Sequence, residues 1–324
     1  MNVLPRRALG GLDVPAVGFG AMVLAGTYDQ VPADPDAALG AAVDAGCTFI
    51  DTSDAYGPSE AQVGRFLAGR RRDEVQISTK FGLRPPSGEP AHRLPVPWGP
   101  GEFAINAEPR LLRGYLERSL RRLGTDHVDV WSPHFPDPEV PIEDTVAAML
   151  PLQDAGMVRH LGLSNPHVEH LVRAQTVAPI AAVQVEWSMW HPVDPALLAH
   201  CEATGVGVVA WSPVGRGFLT GTLATVGEGD FRTGVERLVG ANLAANNERF
   251  APVRALAADL GLSSAQLALA WLLHRSPVVV PIPGSRTPDH IRENAAAALV
   301  ALDDTTRARI DAALAAFVPA GTVS

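Results

Sequence analysis

Asp51, Tyr56 and Lys80 bring a carboxylate, a phenol and an ammonium to the ends of strand-like runs. They lie in FIDTSDAYGPSEAQVGRFL and, shortly after it, VQISTKFG. Together these three groups form a proton-transfer set. Other strand-like runs also end in polar residues: His134, just past WSP, then Ser164–Asn165, Glu186 and Ser212. A lone Asp or His at such a place is ordinarily a cap or a satisfied polar group. Gathered on one rim, they read as a site.

The elements that must hold them are legible as an alternation. Apolar runs predict strands at Val17–Ala21, Thr48–Asp51, Val75–Lys80, Val128–Ser132, His160–Ser164, Ala182–Glu186, Gly207–Trp211 and Val278–Ile282. Helical patterns lie between them: Asp36–Ala45, Ala61–Ala68, Arg110–Leu123, Glu143–Ala155, Pro195–Ala203, Ser264–His274, Pro288–Ala298 and Thr305–Ala315. Apolar strands alternating with helices imply a parallel sheet buried on both faces. Eight such units fit a closed (β/α)₈ TIM barrel. Gly46 suits a helix end, and Thr287 before Pro288 suits a capped helix start. Gly10-Gly11 predicts a tight hairpin over Ala8–Val14, placed to plug the barrel bottom. Gly82–Glu108 and Pro213–Asn247 break the rhythm as long loops on the C-terminal face, where barrel enzymes keep their sites.

Composition narrows the class. The 324 residues are 47% hydrophobic, enough for a large core. No linker, low-complexity tract or charge block interrupts the pattern, so residues 1–324 read as a single barrel domain. A net charge of −9 argues against a nucleic-acid partner. Cys47 and Cys201, in apolar settings, read as buried reduced thiols, which fits a cytoplasmic location. Arg6 and Arg7 precede no long apolar segment, and no run approaches a membrane span. No HExxH or similar metal-ligand spacing occurs, and no GxGxxG follows the first strand.

From about Leu9 to Leu314 the chain resembles the aldo-keto reductases. The segments that carry the resemblance are FIDTSDAYGPSE, STKFG, DVWSPHFPDP, GLSN, VQVEW, AWSPVGRGFLTG and VPIPGSRTPDHIREN, in the family's order. SPVGRGFLTG with the later Asp230–Arg232 resembles the subgroup of bacterial reductases and potassium-channel β subunits. The resemblance implies a catalytic tetrad of Asp51, Tyr56, Lys80 and His134. Reduction of a carbonyl builds negative charge on its oxygen, so a proton and a stabilising donor are needed. An ordinary phenol has a pKa of about 10, and a neighbouring cation favours its ionised form. Lys80 is that cation, Asp51 its counterion, and His134 a donor to the substrate oxygen.

The resemblance also implies an extended nicotinamide dinucleotide across the barrel mouth. Gly20, Ala21 and Met22 match the first-strand turn that approaches it. Ser164, Asn165 and Gln184 match the residues that hold the carboxamide, and Trp211 the aromatic beneath the nicotinamide ring. Ser212, Val214, Gly215, Arg216 and Gly217 match the pyrophosphate wrap. Gly284, Ser285, Arg286, His290, Glu293 and Asn294 match the adenosine end. Ser285 and Arg286 open a helix where a 2′-phosphate would gain from backbone N–H groups, which favours NADPH, with NADH possible.

The implied partner is a small-molecule carbonyl. Met22, Trp98, Phe103, Trp187, Trp190 and Phe218 are candidate pocket walls for an apolar or aromatic substrate. Two rival readings stand beside the reductase. A non-catalytic, NADPH-sensing subunit would keep the dinucleotide site and act through a protein partner. A barrel hydrolase would pair Asp51 with Glu186. Monomers and larger symmetric assemblies are both compatible with the scaffold.

Overall fold

The computed structural model describes residues 4–26, 34–70, 72–96 and 101–322. The chain begins with a hairpin, β1 (Arg6–Leu9) and β2 (Leu12–Pro15). The barrel strands β3 (Phe19–Gly20), β4 (Phe49–Asp51) and β5 (Gln76–Phe81) come next. A second hairpin, β6 (His92–Pro95) and β7 (Glu102–Ile105), interrupts the series. The barrel resumes with β8 (Val128–Pro133), β9 (Val158–Ser164), β10 (Ala182–Glu186), β11 (Gly207–Trp211) and β12 (Val279–Pro281). The helices are α1 (Pro35–Asp44), α2 (Ser59–Leu67), α3 (Leu112–Leu123), α4 (Ile142–Asp154), α5 (Val168–Gln175) and α6 (Pro195–Thr204). After β11 come α7 (Gly240–Arg249), α8 (Ala251–Asp259) and α9 (Ser264–Arg275), and after β12 come α10 (Pro288–Ala296) and α11 (Asp304–Ala315).

Eight strands pair in parallel in the order β3-β4-β5-β8-β9-β10-β11-β12. Gly18 N donates to Pro281 O (2.9 Å) and Gly20 N to Pro283 O (3.3 Å), so the sheet's two edges meet as a (β/α)₈ barrel. Every residue of β8 is buried, which is why these runs are apolar without alternation. The inside is filled by Phe49, Val130, Ala182, Val209, Val280 and Ile282, with Leu9 and Val14 of the hairpin. Leu9 lies against Gly207 and Gly10 against Ala181, so the hairpin closes the N-terminal end of the barrel. Gly10 has φ +56, the left-handed backbone such a tight turn requires. A larger apolar layer joins the strands to the surrounding helices.

Three expectations need correction. Gly82–Glu108 is not a plain loop, because it carries the β6–β7 hairpin. Its strands are only four residues each, partly exposed and paired outside the barrel, so no long apolar run announced them. Pro213–Asn247 folds into 3₁₀ turns at Gly215–Thr220, Phe231–Gly234 and Glu236–Leu238 and then enters α7. Thr287 starts α10 without a side-chain cap bond. Among the described residues, no single helix is long and apolar enough to cross a membrane.

Candidate active site

The C-terminal ends of β4, β5 and β8 bring four groups together. Lys80, 1% exposed, sends its ammonium to Asp51 Oδ1 (2.6 Å) and to the Thr52 carbonyl (2.7 Å). Asp51 Oδ2 also accepts from Ser78 Oγ (2.9 Å) and Gln184 Nε2 (2.7 Å). The carboxylate is thus a fully engaged counterion. Tyr56, in the turn after β4, has its ring centre 5.1 Å from the Lys80 ammonium. Its ring meets that of His134 edge-on, with centroids 5.6 Å apart. His134 extends β8: its N–H donates to the Phe81 carbonyl (2.8 Å) and its carbonyl accepts from Asn165 Nδ2 (3.1 Å). The imidazole Nδ1 faces Ser53 Oγ at 3.0 Å.

Burial sets the electrostatics. Desolvation pulls Lys80 below the ordinary lysine range, against the opposing pull of Asp51. His134 lies well below the usual histidine value, first through desolvation and then through the charges of Lys80 and Arg84, so the ring is neutral at neutral pH. Asp54 moves the other way. Desolvation, then the charge of Glu60, push its carboxyl up to about 8, although Arg122 and Arg118 oppose the rise. Ser53 Oγ sits between these two groups, 3.4 Å from Asp54 Oδ1, and accepts from Ala55 N at 3.1 Å.

A cavity of about 880 Å³ opens over this centre, within the usual size of small-molecule sites. Asp51, Tyr56 and His134 face it, whereas Lys80 lies behind its wall. Gly20 and Met22 line it, with Ser164, Asn165, Gln184 and Trp211. So do Ser212, Val214, Arg216 and Gly217, and at the far end Gly284, Ser285, Arg286, His290, Glu293 and Asn294. Two expected members do not line it. Ala21 is fully buried, and its carbonyl accepts from Ser59 Oγ. Gly215 packs under Trp190, where an added Cβ would lie 2.7 Å from the indole nitrogen. The charge of Arg216 is balanced by Glu186 at 3.0 Å, and Glu186 lies outside the lining.

The proposed aromatic walls divide. Met22 and Phe103 face the cavity. Trp187, Trp190 and Phe218 are core instead, and Trp190 stacks on Phe218 with ring centres 4.1 Å apart. Trp98 lies outside the described residues. Sequence reasoning missed Arg84, Leu83, Phe135 and Arg232 in the lining, and Ser53 behind it. They occupy loops and turns, where no periodicity marks a facing side. Backbone conformation does mark one of them, Arg84. Among the described residues, the non-glycines with positive φ are Arg84 (61°), Asn165 (54°), Ser212 (49°) and Arg216 (54°). All four line this cavity. Left-handed backbone is unfavourable for such side chains and gathers at functional sites.

Comparison with known proteins places the fold and the family. Residues 16–315 match the model of the aldo/keto reductase family. A glycerol dehydrogenase from Gluconobacter oxydans is 27% identical, with a TM-score of 0.81, over 98% of this chain and 97% of that one. A thermostable aldo-keto reductase solved with the inhibitor epalrestat is also 27% identical, with a TM-score of 0.70, over 96% of this chain and 100% of that one. The holo form of an aldo-keto reductase from Bacillus halodurans, 23% identical with a TM-score of 0.73, shares the fold over 96% of each chain. With a family match that spans nearly its whole length, the chain belongs to the aldo/keto reductases.

Proposed function

We propose that the protein reduces an aldehyde or ketone to the alcohol with NADPH, and that Tyr56 gives the proton. The observation that carries this reading is the buried Lys80–Asp51 pair beneath the Tyr56 ring, with neutral His134 beside it. When Tyr56 releases its proton, the Lys80 charge stabilises the phenolate left behind. Asp51 keeps that ammonium charged and fixed, because desolvation alone would favour the neutral amine. Neutral His134 serves as a hydrogen-bond donor to the substrate oxygen. The Ser53 hydroxyl lies nearer to His134 Nδ1 (3.0 Å) than to Asp54 (3.4 Å). Donation from Ser53 to Nδ1 leaves the ring proton on Nε2, free to polarise the carbonyl.

The residues present fit a nicotinamide dinucleotide. Asn165 donates to Ser164 Oγ and accepts from Trp211 Nε1, so it frames the pocket floor. Gln184 spends its NH₂ on Asp51 and keeps its carbonyl oxygen for an amide donor, while the Ser164 hydroxyl can donate. That pairing complements a carboxamide. When bound there, the reduced ring supplies the hydride. Ser285, Arg286 and the start of α10 would hold an adenosine 2′-phosphate, the basis for favouring NADPH over NADH. Steady-state oxidation of NADPH and NADH with a panel of aldehydes tests the reading. Turnover with a higher kcat/KM for NADPH is expected. Cofactor binding without turnover would favour a sensing subunit instead, and absence of dinucleotide binding would remove the proposal.

A further inference from the structure

We infer that Arg84 selects carbonyl substrates that carry a carboxylate. This rests on the reductase reading above and names the substrate class for that site. Arg84 lines the cavity beside Leu83, Phe103, Phe135 and His134. Arg84 is exposed at the cavity's rim, and its positive charge adds, after burial and Lys80, to the suppression of His134 ionisation. Among the described residues no carboxylate pairs with it, whereas Arg216 is held by Glu186 and Arg232 by Asp230. Its backbone is left-handed, φ 61°, and is held there by the Arg84 N–H to the Ala104 carbonyl (2.9 Å) on the β6–β7 hairpin. An arginine kept in an unfavourable backbone state on a cavity wall is a position the fold maintains at a cost.

The rest of the wall tells what the substrate's body is like. Leu83, Phe103 and Phe135 are apolar, and the rings of Phe103 and Phe135 pack with centres 5.6 Å apart. An apolar carbon frame would lie against them, its carbonyl toward Tyr56 and His134. A carboxylate at the outer end would meet the planar guanidinium, which pairs with such groups through two parallel hydrogen bonds.

The test compares matched pairs. The first is 4-carboxybenzaldehyde against its neutral methyl ester, and the second is succinic semialdehyde against butyraldehyde. kcat/KM is measured for each in the unaltered protein, Arg84→Gln and Arg84→Glu. Comparing each pair's ratio between proteins cancels the electronic effect of the substituent. Arg84→Gln is expected to lower the acid-to-neutral ratio about tenfold or more, as loss of a charge-assisted hydrogen bond does, and Arg84→Glu to lower it further. Arg84→Asn, which tolerates left-handed backbone, gives the same result if charge rather than folding is responsible. An unchanged ratio in all variants overturns the inference. Should no aldehyde be reduced at all, the reductase reading falls while the Arg84 question is still decided. Calorimetric titration with 4-(hydroxymethyl)benzoate would then show Arg84-dependent binding or refute it.

Discussion

Two side chains behind His134, Ser53 and Asp54, each have a separable signature. In the proposed reaction Ser53 would be a positioning residue, acting through the imidazole whose Nδ1 it faces. Ser53→Ala removes a hydrogen bond to the neutral ring, so kcat/KM should fall by up to about tenfold. The acid limb of its pH profile should also move toward neutral, because the neutral ring has lost its partner. A profile that does not move would assign Ser53 a merely structural role. Asp54 gives a stability signature. Folded, its carboxyl keeps a proton up to about 8, whereas an unfolded aspartate loses it near ~3.9. Between those values the unfolded chain binds fewer protons, so the contribution of Asp54 to stability falls as pH rises. Asp54→Asn cannot titrate. The native protein should therefore lose ground to it from about pH 4 to about 8, then hold a constant difference. Urea midpoints at about pH 5, 7 and 9 check this, and a difference flat across all three would contradict it. Tyr56 and Lys80 were singled out by residue type together with the family resemblance of their segments, and the structure brings the two side chains together. Ser53 and Arg84 were not singled out, since their roles depend on which way a turn faces.

Elements are positioned by close backbone approaches that leave no room for a side chain. At Gly64 in α2, an added Cβ would collide with the Arg122 carbonyl and lie 2.8 Å from the Leu123 carbonyl carbon. The obstacle is backbone, which cannot swing away. At Gly40 in α1 the nearest atom is Phe66 Cε2 at 3.9 Å, ordinary contact. Both glycines lie inside helices, where alanine is preferred by about 0.8–1.0 kcal/mol. Gly40→Ala should therefore stabilise by up to about 1 kcal/mol. Gly64→Ala should destabilise, because overpacking costs about 1–3 kcal/mol. Guanidinium unfolding of both variants checks the pair, and the same sign for both would contradict this reading of the α2–α3 contact. The strands were readable because burial on both faces leaves uninterrupted apolar runs, as in Ala182–Glu186 and Gly207–Trp211, whose bounds agree residue for residue. The β6–β7 hairpin was not, because four-residue strands with exposed positions outside the barrel carry no such signal.

At the scale of the molecule, the barrel core isolates its thiols. Cys47 and Cys201 are free and buried, and desolvation pushes each up to about 12. The thiolate is the reactive form, so neither should react with a disulfide reagent at about pH 8 in the native protein. Both should react once guanidinium unfolds it. Rapid native labelling would mean that the barrel opens far more readily than its packing implies. Barrel class was legible from the alternation alone, but a barrel hosts many reactions. The course of the cavity became visible only when the strand ends were brought together.

The most direct measurement is single-turnover and steady-state reduction by Tyr56→Phe, with dinucleotide affinity followed by fluorescence. Loss of the phenolic proton should cut the reduction rate by about 10²–10⁴-fold with NADPH still bound. A variant that reduces the carbonyl at the unaltered rate would contradict the assignment of Tyr56 as the proton donor.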